Sequence, residues 1–447
     1  MPDRGRAPAT LAPPPGVPTA AACLGGPLLN AGFLADPYPT YRHLREFAPL
    51  VWSDEFFGGA WLVSRHADVD MVLRDARFSA QRTGGWVMRG HEPRIELRGF
   101  QRLFARAMIF LDAPDHLRIR QVLATAFRAS DLQRLAPRLD QAIAERLDAL
   151  DAHAGFDFVS SVARPLPAQA IAMLMGVDSH AATGEFMAGS DELAAFLGAS
   201  EPTREQALHA QAALLSMAAA FDAALQRRRR EGEDPARDDV LDRLLRAESA
   251  GQIRGTAELL AQCVMLLFAG HETTRHLLAN GLQILLGQPG AWQALHDDRS
   301  VLPAAVRELL RFDSPVQYTG RRVAAPLRLH GQNLRRGDLV VALIGAANRD
   351  PEQHERPDEL DFTRRAAPSL AFGQGPHVCL GAALTLMEAQ AVWGQMLDRW
   401  PGLELARAGQ SSRMGSPLYR GPLELPVRQA LSSTGLQSAT YTAFDLH

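Results

Sequence analysis

Cys379 stands where its sulfur could do chemistry. The segment Phe372-Gly373-Gln374-Gly375-Pro376-His377-Val378-Cys379-Leu380-Gly381 sets two glycines and a proline just ahead of it, and an Ala-, Leu- and Met-rich run follows over 382–393. Gly373 and Gly375 permit a tight, irregular backbone. A cysteine at the start of the helix predicted there lies near backbone N–H groups and the positive end of the dipole. Both favour the thiolate, which can ligate a metal and push electron density onto it. An isolated cysteine is more simply a packing residue. Here Phe372, the glycines, His377 and Gly381 surround it at fixed offsets.

A second cluster, Ala269-Gly270-His271-Glu272-Thr273-Thr274, falls in the middle of the longest apolar run. Glycine in mid-helix weakens the helix, and a threonine hydroxyl can bond a carbonyl of the preceding turn. Together they predict a local bulge or groove. Glu272 and Thr273 form an acid–alcohol pair suited to proton delivery, or else a buried polar cluster. His271-Glu272 followed by His276 nearly matches the zinc-protease pattern, which needs histidines four apart. Here they are five apart, about 140° around the helix instead of about 40°, and position i+4 is Arg275, a poor zinc ligand. Zinc is rejected.

Glu308 and Arg311, three apart, can pair on one helix face. They lie roughly 70 residues before Cys379 and just ahead of Ser314-Pro315. Taken with the cysteine segment, this order resembles the cytochrome P450 family. Its haem-binding signature has Phe, Gly, Gly, Cys and Gly at these offsets, and it carries a buried Glu-x-x-Arg. Ala347-Asn348-Arg349-Asp350-Pro351 and Tyr419-Arg420-Gly421-Pro422-Leu423 add to the likeness, which spans roughly residues 30 to 430. The family often adds a further arginine to the Glu-x-x-Arg pair. Glu359 occupies that position here, with Arg356 or Arg364 as substitutes.

The resemblance implies haem b held by Cys379, with Phe372 and Gly381 beside it and the backbone N–H groups of Leu380 and Gly381 as candidates for tuning the sulfur. Haem carries two carboxylates, which need cationic partners in a dry site. His116 and Arg120, four apart on one helix, resemble two of these anchors; Arg321 and His377 resemble the others, with Arg118 and Arg322 as alternatives. A substrate pocket is expected from Trp86, Met265, Leu266, Ala269, Val316, Tyr318, Met414 and Leu418. In the segment 81–106, Arg82, Arg89, Arg94, Arg98, Arg102 and Arg106 outnumber Glu92 and Glu96. One of these arginines could hold an acidic substrate or a carrier-bound acyl group, or all could face water. Trp86 and Phe100 could equally serve an aromatic or terpenoid molecule.

The elements that must position these residues are mostly helices. Periodicity predicts them over 137–150, with Pro137 in the first turn, and over 206–230, 257–286 and 304–312. Short strands are expected at 60–63, 339–343 and 423–427. Residues 1–30, rich in Pro and Ala, are expected as a flexible leader, 31–430 as one large domain and 431–447 as a tail. The fold class is mainly α with small β-sheets, and the resemblance implies a cytochrome P450 fold with haem between the central helix and the cysteine helix.

Composition narrows the function classes. The 447 residues carry a formal charge of -3, so nucleic acid is not an expected partner. All 47 basic Lys/Arg positions are arginine, and the three cysteines fit neither a disulfide framework nor a zinc pattern. A cytoplasmic, monomeric protein without a membrane span is expected. The resemblance implies a monooxygenase that uses O2 and two electrons to hydroxylate or epoxidise a small, largely apolar molecule. With no flavin or iron–sulfur segment after residue 430, electrons are expected from a ferredoxin and its reductase. A peroxygenase would place Arg-Pro where Glu272-Thr273 stands; oxidative coupling stays open, and a haem sensor or carrier is disfavoured for want of an output domain.

Overall fold

The structure, a computed structural model, describes residues 12–82, 88–89, 92–93, 97–177, 179–232, 234, 237–364, 369–406 and 413–430. Trp86 and the expected tail at 431–447 lie outside these residues.

A helix of 32 residues, Thr256–Gly287, runs through the molecule. It is apolar on most sides, so it is buried on most sides. Its first half, Leu259 to Phe268, packs into one hydrophobic cluster, and Leu277 to Leu285 into another. The polar stretch 269–274 lies between the two. The helix that follows the cysteine, Ala382–Arg399, sends Leu384 to the first cluster and Ala389, Val392, Trp393 and Met396 to the second. The two helices approach so closely that a Cβ on Gly281 would sit 2.4 Å from the Trp393 ring.

The main sheet has five strands in the order Leu50–Ser53, Ala60–Val63, Leu339–Ala342, Thr319–Val323 and Phe78–Ser79. Only the pairing of Ala60–Val63 with Leu339–Ala342 is parallel. The three strands Leu50–Ser53, Ala60–Val63 and Leu339–Ala342 are buried throughout, as their unbroken apolar runs require. Arg321 lies opposite Val340 in the next strand. A second sheet joins Leu403–Leu405, Pro426–Gln429 and Phe156–Asp157.

Several expectations shift. The strand expected at 423–427 begins at Pro426, because the Leu425 N–H is taken by the Asp157 carboxylate. The helix expected from Pro137 begins eight residues earlier, as Ala129–Asp148, so Pro137 is interior. The amphipathic pattern on both sides outweighs the hydrogen bond that proline removes. The expected bulge at 269–274 is no break either, since the helix is continuous through it. The leader is not loose where it is described. Ala20–Leu24 is helical, Ala20 and Leu28 are buried, and the Leu28 and Leu29 N–H groups donate to the Glu55 carboxylate. One helix, Arg204–Glu231, is by length and composition apolar enough to cross a membrane. It packs against Ser179–Gly198 and the central helix.

Candidate active site

A cavity of about 290 Å3 lies between the central helix and the cysteine segment. Met265, Leu266, Ala269, Gly270 and Thr273 line it from the helix; Phe372, His377, Cys379 and Gly381 line it from the segment. The glycine run predicted as irregular is so: Gly373 and Gly375 have φ of +68° and +71°. A Cβ on Gly375 would stand 2.8 Å from the Leu73 carbonyl, so the backbone there admits no side chain. The Cys379 N–H donates to the Phe372 carbonyl at 2.8 Å, which closes the loop around the sulfur. The sulfur opens into the cavity, and burial raises its thiol pKa against the pull of the Gly381 N–H and Arg120. The lowering expected of a helix start is therefore outweighed by desolvation. A thiolate here calls for a cation at the sulfur, the role of a bound metal.

The basic residues singled out in sequence converge. The His116 and His377 rings are 4.0 Å apart, and Arg120 and Arg321 line the same cavity. Arg120 donates to the Val378 carbonyl at 2.9 Å, and Arg321 only to Thr319 and Gly320. None of the four makes an ion pair with a carboxylate among the described residues. His116 Nε2 is buried with no hydrogen-bond partner. Burial, then His116, Arg321, Arg82 and Arg120 push the His377 imidazole down to about 3. Burial pushes Arg321 down to about 10. Two guanidiniums and two imidazoles that meet no carboxylate among the described residues fit a ligand carrying two carboxylates, as haem does. The alternatives are used elsewhere: Arg118 pairs with Glu258 and Asp115, and Arg322 donates to the Gly337 carbonyl.

Glu272 is wholly buried, with Oε1 2.8 Å from His276 Nε2 and Arg275 3.6 Å away. Oε2 has no hydrogen-bond partner. Burial pushes the carboxyl up, but His276, Arg275 and His271 outweigh it and bring it down to about 2. Arg275 continues to Asp191 at 2.9 Å, and Asp191 to Arg164 at 2.5 Å. Those last two are substantially solvent-exposed, so a chain of ionic contacts joins Glu272 to the surface. Thr273 Oγ1 donates to the Ala269 carbonyl at 2.8 Å, as its position predicted. His271 contacts Ser190 and the Arg164 carbonyl, so the two histidine rings do not converge on one metal. The zinc-protease pattern offers His276 only as a ligand out of register. Its role beside Glu272, at i+4 on the same helix, was legible in the spacing.

Glu308 and Arg311 form a buried bidentate pair at 2.7 and 2.8 Å. The third member is Arg364, whose Nε lies 3.1 Å from Glu308 Oε1. Glu359 contributes its backbone carbonyl, to Arg311, while its side chain pairs outward with Arg356. Of the expected pocket residues, Met265, Ala269 and Val316 line both this cavity and a neighbouring one of about 190 Å3, which Tyr318 and Leu418 also line. Met414 does not reach either. It faces a small recess beside Phe33 and Arg413, because the 413–422 pairing turns it away. Phe100 is buried against Phe104 and Phe196 and is also absent from both walls.

Residues 203–401 match the family model described as Cytochrome P450. Cytochrome P450 107B1 of Saccharopolyspora erythraea is 36% identical over 401 residues, covering 89% of this chain and 96% of that protein. Nocardicin C N-oxygenase of Nocardia uniformis subsp. tsuyamanensis is 36% identical over 399 residues, covering 88% and 95%. Among solved structures, P450BioI in complex with an acyl carrier protein ligated to hexadec-9Z-enoic acid superposes with a TM-score of 0.80 at 29% identity, covering 90% of this chain and all of that one.

Proposed function

Because the chain belongs to the cytochrome P450 family and is a monooxygenase of that family, we propose that residues 31–430 form one catalytic domain that oxygenates a small, largely apolar molecule. The observation that carries this reading is the cavity that joins Cys379 and Thr273 to Arg120, Arg321 and His377, with His116 packed on His377 and no carboxylate paired with any of them among the described residues. Cys379 ligates the iron of haem b, with the Gly381 N–H tuning the sulfur. His116, Arg120, Arg321 and His377 hold the two propionates, and Phe372 packs beside them. Haem in this place supplies the redox chemistry, in which O2, two electrons and two protons leave one oxygen atom on the substrate and the other in water.

The chain's own residues supply the protons. Glu272 Oε2 is the relay oxygen that takes up a proton and passes it on; Arg275 and Asp191 connect it to solvent, and His276 holds Oε1. The Thr273 hydroxyl faces the cavity and passes the proton inward. Met265, Leu266, Ala269, Val316, Tyr318 and Leu418 exclude water around the substrate. The electrons come from a ferredoxin and its reductase, docking on the side of Cys379 and the helix Asp115–Ala124. The chain works as a monomer in the cytoplasm, a reducing compartment that suits its three unpaired cysteines. The relative bound to an acyl carrier protein keeps a carrier-bound substrate within this reading.

One spectrum tests it. The reduced, carbon monoxide-bound holoprotein is expected to show the Soret band of thiolate ligation. A band at the histidine-ligated position in fresh protein overturns the assignment of Cys379.

A further inference from the structure

Arg82 is a cation that the haem anchors leave over. It lines both cavities, the one that holds Cys379 and the smaller one beyond Thr273. Its guanidinium lies 4.8 Å from the centre of the Phe110 ring. Among the described residues, its Nη1 reaches only the Ala80 and Ile109 carbonyls, at 3.3 and 3.5 Å, the long end of hydrogen bonding. A guanidinium has five N–H donors, and here no carboxylate among the described residues pairs with it. The acidic side chain among the described residues that line the first cavity, Glu388, lies on the cysteine helix, and burial pushes its carboxyl well above the ordinary carboxylate range. Burial and the neighbouring Arg321 push Arg82 down to about 9. A partly buried charge with no carboxylate partner among the described residues is costly, and four basic groups are already assigned to two propionates. The smaller cavity is otherwise mostly apolar, with Phe57, Leu197, Phe268, Leu339 and Leu418 in its wall.

We propose that Arg82 anchors the carboxylate of the substrate, an organic acid whose apolar body lies in the smaller cavity and reaches toward Thr273. This deepens the monooxygenase reading and rests on it. A bidentate guanidinium–carboxylate pair in a largely apolar cavity gives strong selectivity over an uncharged end group.

The test uses the haem-loaded protein with decanoic acid and decan-1-ol as probes, reading binding by the spin-state shift and by calorimetry. Wild type is expected to bind decanoate at least tenfold more tightly than decanol. Arg82→Gln is expected to lose that preference while its affinity for decanol stays within about twofold, and Arg82→Lys to recover part of it. Equal affinities in wild type, no binding of either probe, or a preference that survives in Arg82→Gln overturns the proposal. Haem content separates the two possible carboxylates. If Arg82→Gln retains less haem but the remaining holoprotein keeps its preference, Arg82 serves a propionate and the proposal fails. Should Arg82→Gln not fold, the wild-type comparison and Arg82→Lys still decide. A thiolate carbon monoxide spectrum without a carboxylate preference sinks the role of Arg82 alone; a histidine-type spectrum sinks the reading beneath it.

Discussion

At Glu272, burial alone would drive the carboxyl toward its neutral form. His276, Arg275 and His271 reverse that and hold it at about 2. The folded-state value lies below the ordinary 4.5, so the pair adds stability above pH 4.5, and that stability is lost as pH falls toward 2. At about 1.4 kcal/mol per unit, the contribution is on the order of 3 kcal/mol. Glu272→Gln cannot titrate. Its denaturation free energy is therefore expected to fall less than that of wild type between pH 4.5 and 2, by up to this amount. Parallel losses in the two proteins would show that Glu272 is not the charged member. Gly421 completes the arrangement, since a Cβ there would meet His276 Nδ1 at 2.2 Å. The imidazole is thus wedged between Glu272 and the backbone, with the Tyr419 ring 6.0 Å away.

Between elements, the helices Thr256–Gly287 and Ala382–Arg399 cross in close contact. Gly281 and Trp393 meet there with no room for a methyl group. Gly281→Ala is expected to force the helices apart and cost about 1–3 kcal/mol, read as a lower denaturation midpoint and weaker haem retention. Trp393→Phe removes the ring atoms in question and costs something by itself. Combined with Gly281→Ala it is expected to destabilise by less than the sum of the two. Strict additivity would mean that the crossing tolerates the methyl group. The Glu308–Arg311–Arg364 triad acts at the same scale, tying Leu302–Phe312 to the segment 355–364.

For the whole molecule, the N-terminal residues contribute to stability. Ala20 and Leu28 lie in the same hydrophobic cluster as Tyr41, Val51 and Leu343. Glu55 accepts from two successive backbone N–H groups, at 2.7 and 2.8 Å. Deleting residues 1–30 is expected to cost on the order of 2–4 kcal/mol through lost burial and an unpaired Glu55, with the carbon monoxide spectrum unchanged. A truncated chain as stable as the full one would show that this segment adds nothing. At this scale two apolar clusters grip the two halves of the central helix. The polar stretch between them is held by its neighbours and not by helix propensity.

Sequence alone determined the parts that depend on residue type and local spacing. Cys379 among its glycines, the Glu308–Arg311 pair and the central helix are of this kind, because a tight turn, an i,i+3 contact and a 3.6-residue period are local. The four basic residues were legible as a set, since their places in the chain matched one family. Tertiary structure decided what depends on distance across the chain. Glu308 takes Arg364 and not Glu359, because pairing needs an atom within reach and not a position in a pattern. Met414 turns away from the cavity although Leu418, four residues on, lines it. Pro137 sits inside a helix whose apolar face outweighs one missing hydrogen bond. Arg82 was one arginine among six in its segment. Only the fold placed it on the walls of two cavities, partly buried and with no paired carboxylate among the described residues.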